Sequence, residues 1–291
     1  MKKKILINDT SQAIGLDIAL ELANFITGKN NMHYGIWDNL HVNLGNLGIA
    51  QEAYTKKLFS YLPKDKNLNI LDIGGGAGET ANKLLKLGHR VTIIVPSPIL
   101  AAHCRDTTLN KATIELCTFE DFKLKSGELF DICLFSESFQ YIPLNVALKK
   151  SKSLLNETGK IIISDCFRSN VDFTSQYRPP GGGHSLQEMY REIDLNKLEI
   201  VMQEDITSSV SASIDLEQKF YNTIGVIITR IIRSYSNRNR ITFKIMKIVY
   251  KILVNHKKRI RLNDRLFNNL RNSKTFEVYN NYMIFLLKSD T

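Results

Sequence analysis

Asn69 to Thr80 reads Asn-Ile-Leu-Asp-Ile-Gly-Gly-Gly-Ala-Gly-Glu-Thr, and no other stretch constrains this 291-residue chain as tightly. Leu68 to Ile73 is a short apolar run of the kind that forms a strand covered on both faces. Gly74, Gly75, Gly76 and Gly78 follow at once. The three at alternating positions let the backbone turn tightly and admit a ligand against its N–H groups. Asp72 stands just before the turn, and Glu79-Thr80 opens a helix. A dinucleotide fingerprint needs Gly-x-Gly-x-x-Gly, and its third glycine falls here on Glu79. A phosphate loop needs Gly-Lys-Ser/Thr after the turn, and the chain has none there. What remains is Asp-x-Gly-x-Gly-x-Gly at a strand-to-helix turn.

Around this loop, strands and helices alternate. Thr10 to Ile26 has apolar residues at helical spacing, with Asp9-Thr10-Ser11 as its cap and Gly28-Lys29-Asn30-Asn31 as its stop. Asn46 to Leu62 reads as a second helix ended by Pro63. Strands are expected at 68–73, 90–95, 113–117, 130–135, 159–166 and 198–203, and a last one at 276–288. Helices follow the glycine loop and occupy 98–110, 144–155 and 185–195. This order argues a doubly wound, mostly parallel α/β sheet. In such a sheet a ligand lies beyond the carboxyl ends of the strands, at the switch point beside the first one.

With 43% hydrophobic residues the chain can bury a full core. Cys104, Cys117, Cys133 and Cys166 lack metal-binding spacing, and buried thiols in a reducing compartment are the expectation. Met1-Lys2-Lys3-Lys4 is not followed by the apolar region of a secretory signal, and no run is long and apolar enough to span a membrane. A cytoplasmic location follows, with peripheral membrane contact left open.

The glycine-loop motif resembles the first motif of class I S-adenosylmethionine (SAM)-dependent methyltransferases. That resemblance implies a seven-stranded sheet and SAM as cofactor. After the second strand such enzymes place an acid for the ribose; here that position is Val95, and Ser97 is the residue to which the contact is moved. Thr118-Phe119-Glu120-Asp121-Phe122 resembles the loop that covers the adenine, with Phe119 set to stack and Glu120 or Asp121 to accept; a solvated acidic turn is the alternative. Ser136-Glu137-Ser138-Phe139-Gln140-Tyr141-Ile142-Pro143 resembles the segment after strand four in small-molecule O-methyltransferases and in sterol- and tocopherol-type C-methyltransferases. The histidine that serves as base in sugar O-methyltransferases is replaced by Gln140 and Tyr141. Tyrosine titrates too high to be a good base at neutral pH, so Glu137 is the better candidate. Asp165 matches an acid beside the substrate. His33-Tyr34-Gly35-Ile36-Trp37-Asp38 is similar to an N-terminal element that folds over the site, where Tyr34 and Trp37 would shield the sulfonium or simply pack in the core. Tyr177 to His184 reads as a loop bordering the acceptor pocket, with His184 as a second base candidate or a plain loop histidine.

The net charge of +10 is concentrated. Arg230 to Arg271 holds eight arginines and five lysines against one acid, Asp264, while the preceding two thirds is nearly balanced. Within 216–270, Ile241 to Val254 interleaves isoleucines with Lys244, Lys247 and Lys251 in an amphipathic pattern. Three readings stand for this segment: a lid packed on the core, shallow contact with an anionic membrane, or a site for an anionic group. Nucleic acid is disfavoured, since aromatic residues are sparse among the charges. The expected organisation is an N-terminal helical cap (1–62), a SAM-binding core (63–212), a basic helical lid insertion (213–274) and the final core strand (275–291). The expected activity is methyl transfer from SAM to a small, hydrophobic, lipid-like or anionic acceptor at O, C or N. A degenerate SAM- or S-adenosylhomocysteine-binding protein, a SAM-dependent enzyme that does not methylate, and a basic membrane module are the alternatives.

Overall fold

A computed structural model describes residues 11–64, 67–124, 127–171 and 181–290. The expected cap residues Asp9 and Thr10, the first lysines, and Tyr177 to Pro180 lie outside the described residues. Two helices lead, α1 (Ser11–Thr27) and α2 (Leu47–Phe59). The alternating part follows as β1 (Asn69–Ile73), α3 (Glu79–Lys86), β2 (Arg90–Ile94), α4 (Pro98–Thr107), β3 (Thr113–Glu115) and β4 (Phe130–Ser136). It continues through α5 (Leu144–Leu154), β5 (Leu155–Arg168), α6 (Leu186–Leu195) and β6 (Leu198–Asp205). Four helices then intervene, α7 (Thr207–Arg238), α8 (Arg240–Leu253), α9 (His256–Phe267) and α10 (Ser273–Tyr279), before β7 (Asn280–Ser289).

The strands form one seven-stranded sheet in the order β3-β2-β1-β4-β5-β7-β6. All neighbours run parallel except β7, which is antiparallel to β5 and β6. The expected sheet is therefore present, and its switch point lies between β1 and β4, where strand order reverses. Strand residues alternate between two cores because successive side chains point to opposite faces. Ile70, Ile93, Ile132, Leu134 and Tyr282 pack with α2, α3 and the base of α7 on one face. Leu71, Ile73, Cys133, Phe135 and Phe285 pack with α5 and α6 on the other.

Several element ends shift by a few residues, and two differences bear on the insertion before the last strand. Phe276 to Tyr279, expected to open the last strand, belong to α10. Asn272 caps that helix by accepting from the Thr275 N–H at 2.9 Å, and Phe276 is wholly buried. An aromatic run suits a strand and a buried helix turn equally, so the cap decides. The insertion also has no break at 213. α7 runs through that position, and its first part is core, with Val210, Ser213 and Ile214 buried.

Candidate active site

At the carboxyl end of β1 the chain enters the glycine turn, and each glycine has a local reason. Gly74 sits at φ +73°, and a Cβ there would lie 2.5 Å from Ser138 Cβ. Gly76, at φ +55°, faces open space, where a Cβ would meet nothing within 4 Å. The turn is tied by Gly74 N–H to Ile94 O at 2.8 Å and by Gly76 N–H to Gly74 O at 2.7 Å. Beside it opens a cavity of about 430 Å³ at the switch point. Asp72, Gly74, Gly75, Gly76, Thr118, Phe119, Glu120, Ser136, Glu137 and Tyr141 all line it.

Two buried polar groups in this lining lack hydrogen-bond partners. Asp72 is 1% exposed and its Oδ2 is unpartnered, and burial pushes its carboxyl up to about 7. Asn31 is 2% exposed, and neither its Oδ1 nor its Nδ2 is partnered. Unsatisfied buried polar atoms are costly, so a lining that keeps three of them suits a polar ligand. A free carboxylate oxygen and an unpartnered amide, set beside the glycine turn and an apolar floor (Ile73, Ile94, Leu100), fit a SAM-sized molecule with one cationic and one aromatic end.

A second cavity of about 220 Å³ adjoins the first, and Glu137 and Tyr141 line both. Its other walls are Tyr34, Gln140, Asp165, Cys166, Gly181, Gly182, Arg271 and Tyr282. Glu137 ends β4 in the left-handed region, φ +56°, a conformation that costs a non-glycine residue roughly 1–3 kcal/mol and needs surrounding structure to hold it. That support comes from its own carboxylate. Oε1 accepts from the Tyr34 N–H at 2.8 Å and from the Tyr282 hydroxyl at 2.7 Å. Burial raises the Glu137 carboxyl to about 7, with the charge of Asp165 adding to it and these two donors opposing it. Asp165, three residues before the end of β5, accepts from Gln140 N–H and Nε2 and from Cys166 N–H, at 2.7–3.0 Å. It is raised by burial to about 7 against those hydrogen bonds. Tyr141 stands largely exposed at the mouth, with its hydroxyl end partly desolvated beside Asp165 and Glu137; that desolvation and the two carboxyls raise its phenol, which stays protonated at neutral pH.

The N-terminal element is held over both cavities by its backbone. Trp37 N–H donates to Ser209 O, and both Gly35 N–H and Trp37 Nε1 donate to Ser213 Oγ. Gln51 Nε2 donates to His33 O, and His33 stacks on Tyr54 with ring centroids 4.4 Å apart. The His33 Nδ1 lies 2.8 Å from the Tyr34 carbonyl, so that nitrogen carries the proton; burial lowers the ring to about 4.

Four of the expected residues line neither cavity. Trp37 is buried against Ala50 and Leu216, the core-packing outcome for that ring. Ser97 caps α4 by accepting from Leu100 N–H at 3.4 Å, while Ile94 and Pro96 line the cavity and Val95 packs in the core. Gly78 turns the backbone into α3, donating its N–H to Gly75 O. His184 places Nε2 2.8 Å from Ile142 O, where it donates and ties the 181–185 loop to the turn after β4. Phe119 reaches the cavity wall, but its ring is already engaged by the edge of Phe135 at 5.6 Å and by Lys150 Nζ at 5.4 Å. Asn31, Met32, His33, Glu79 and Arg271 are lining residues that sequence reasoning did not single out. Asn31 is two residues from the His33-Tyr34-Gly35 element, and nothing in the sequence marks it apart from the helix stop in which it stands.

A seven-stranded sheet with an antiparallel β7, a glycine turn and a switch-point cavity defines the class I methyltransferase fold. Residues 71–163 match the family model described as a methyltransferase domain. A Bacillus cereus protein called an uncharacterized methyltransferase is 29% identical over 107 residues, which are 36% of this chain. The chain spans about half the length of the curated relatives it matches. Similar solved structures include the cyclopropane synthase MmaA2 from Mycobacterium tuberculosis, at TM-score 0.66 and 12% identity, covering 97% of this chain and 99% of that one. Geranyl diphosphate C-methyltransferase from Streptomyces coelicolor, solved with Mg2+, geranyl-S-thiolodiphosphate and S-adenosyl-L-homocysteine, matches at TM-score 0.62 and 14% identity, covering 97% and 94%. At those identities the structural likeness concerns the fold.

Proposed function

We propose that the whole chain transfers a methyl group from SAM, bound in the larger cavity, to a small amphiphilic acceptor bound in the smaller one. The observation that carries this reading is the shared wall: Glu137 and Tyr141 border both spaces. Bound SAM would supply an electrophilic methyl on a sulfonium. Asp72, Asn31 and the main chain of the glycine turn are assigned to hold it. The chain's own task is to position the acceptor and manage its proton, because in-line transfer depends mainly on near-attack geometry. Glu137 is assigned to take that proton: its carboxyl sits near neutrality, and Oε1 is held by Tyr34 and Tyr282. Asp165, saturated by Gln140 and Cys166, is assigned to position Gln140 in the acceptor cavity. Tyr34, Tyr141 and Tyr282 offer ring surface, and Arg271 offers a cation, so an acceptor with an apolar body and an anionic or polar head suits the lining. Free thiols, buried at Cys104, Cys133 and Cys166 and half-buried at Cys117, fit a reducing compartment.

Calorimetric titration with SAM and S-adenosylhomocysteine, beside Gly76→Arg and Asp72→Asn, tests the cofactor half. Micromolar binding lost in Gly76→Arg and weakened in Asp72→Asn is the expected result. Labelled-methyl transfer into a pool of small alcohols, phenols and isoprenoid phosphates tests the other half. Binding without transfer to any acceptor would favour the non-methylating alternatives.

A further inference from the structure

The outer half of α7, all of α8 and most of α9 leave the core. α8 has no buried residue at all. Its apolar residues Ile241, Ile245, Ile248 and Ile252 recur at i, i+4, i+7 and i+11, and are 56–77% exposed. Its basic residues Arg240, Lys244, Lys247 and Lys251 repeat the same spacing one position earlier. The helix therefore carries one apolar stripe and one cationic stripe side by side, both in solvent. The outer part of α7 repeats the arrangement, with Ile227, Ile231 and Tyr235 exposed beside Arg230 and Arg233. Isolated exposed apolar residues are ordinary, but contiguous stripes on two consecutive helices mark an interaction surface.

We propose that this arm docks on an anionic lipid bilayer, with its apolar stripes in the headgroup boundary and its lysines and arginines among the phosphates. Charge decides the occupant. Residues 230–271 hold thirteen arginines and lysines against Asp264, so a second copy of the same face would bring like charges together across a low-dielectric contact. A bilayer surface supplies an apolar layer directly beneath an anionic one, which is the pairing these adjacent stripes present. The stems of Lys244, Lys247 and Lys251 are long enough to lie along apolar surface with their ammonium groups in the headgroups. Docking is interfacial: among the described residues no helix is long and apolar enough to cross a membrane. The arm is anchored at its root, where α9 packs on α7. Gly225 in α7 lets α9 approach so closely that a Cβ there would lie 2.4 Å from Leu266 O. Glu217 binds Arg265 at 2.8 Å and Arg271 at 3.3 Å at the root of the arm, and Arg271 lines the smaller cavity. The proposal does not depend on methyl transfer, although a surface-bound enzyme would meet amphiphilic acceptors there.

The test is co-sedimentation of the full chain with phosphatidylcholine vesicles, with and without phosphatidylserine. Binding to the anionic vesicles should exceed binding to the neutral ones by at least ~10-fold and weaken with salt. Lys244→Glu with Lys247→Glu, and separately Ile245→Ser with Ile248→Ser, should each lower it by ~10-fold or more. These side chains are exposed, so unchanged SAM titration serves as the folding control. Equal binding to both vesicle types, or none, overturns the proposal. So does a stable dimer that the isoleucine pair dissociates, or duplex DNA binding of equal strength that the isoleucine pair leaves intact. SAM binding lost in the parent chain would sink the proposed function and leave this result standing.

Discussion

The two cavities share a wall and are built by opposite means. The larger centres on one contiguous stretch, in which β1, the glycine turn and the start of α3 bring main chain to the wall and Asp72 lends a free carboxylate oxygen, and short segments at 30–33, 94–100, 118–120 and 136–142 close around it. The smaller is assembled from side chains that are far apart in the chain, with Tyr34 from the N-terminal element, Glu137 and Asp165 from the ends of β4 and β5, Arg271 from the loop before α10, and Tyr282 from β7. A backbone-built site recognises a constant ligand and tolerates little change. A side-chain-built site is free to vary with its acceptor. The difference predicts that substitutions on the first side act on binding and folding together, while those on the second act on turnover with binding intact.

The largest effect is expected at Gly74. An alanine there adds a Cβ 2.5 Å from Ser138 Cβ and must hold φ +73°. The left-handed backbone and the overpacking together should cost about 2–5 kcal/mol, and detectable SAM binding should disappear. Gly76→Ala is the comparison: its Cβ meets nothing within 4 Å, so only the backbone term of about 1–2 kcal/mol remains. Thermal denaturation and calorimetry of the pair check this. Equal losses at the two positions would mean the turn is not shaped by Ser138.

That contrast also explains what the sequence made legible. The strand, the acid and the glycines are neighbours in the chain, so their cooperation shows as a motif, and the doubly wound order follows from alternating short elements. Asn31 was invisible for the opposite reason: a polar residue after a helix reads as a stop, and only burial beside Asp72 reveals its orphaned amide. Trp37 and His184 carried site-like chemistry, but Ser213 and Ile142 engage them in structural hydrogen bonds. Arg271 lay in a stretch whose charge density hid any individual role. Phe276 to Tyr279 looked like strand because aromatic residues favour strands, and the Asn272 cap overrode that preference.

On the acceptor side the larger effect belongs to Glu137. Glu137→Gln keeps the Oε1 acceptor for Tyr34 and Tyr282 and removes the base, so kcat should fall by about 10²–10⁴. SAM affinity should change by less than about threefold, the split expected of a group that acts on turnover alone. Stability supplies an independent check with its sign fixed. Burial raises this acid in the folded chain to about 7, so the stability it contributes is full below its unfolded pKa of 4.5 and is lost as pH rises through about 7. The glutamine variant should therefore gain melting temperature relative to the parent between pH 5 and pH 8. A tenfold loss of SAM affinity would instead assign Glu137 to the cofactor cavity.

The smallest effect, and the most diagnostic, is expected from Tyr282→Phe. The Tyr282 hydroxyl lies 2.7 Å from Glu137 Oε1 and 3.1 Å from the Tyr54 oxygen, and its single proton is best used on the carboxylate. Tyr54 in turn donates to Ser164 Oγ at 2.8 Å, so that ring stays fixed when its neighbour changes. Removing the donor takes away a hydrogen bond that favours the ionised form, and the Glu137 pKa should rise. If ionised Glu137 is the base, the parent rate climbs with pH through about 7. The variant's rise should then move to higher pH by roughly one unit, with the alkaline plateau lowered only a few-fold. Single-turnover methyl transfer across pH 5.5 to 9 measures both quantities. A profile that keeps its midpoint while the plateau falls would make Tyr282 a packing residue and remove the link from β7 to the proton. A shifted midpoint would show that the antiparallel strand, and not only the glycine turn, tunes the chemistry at the shared wall.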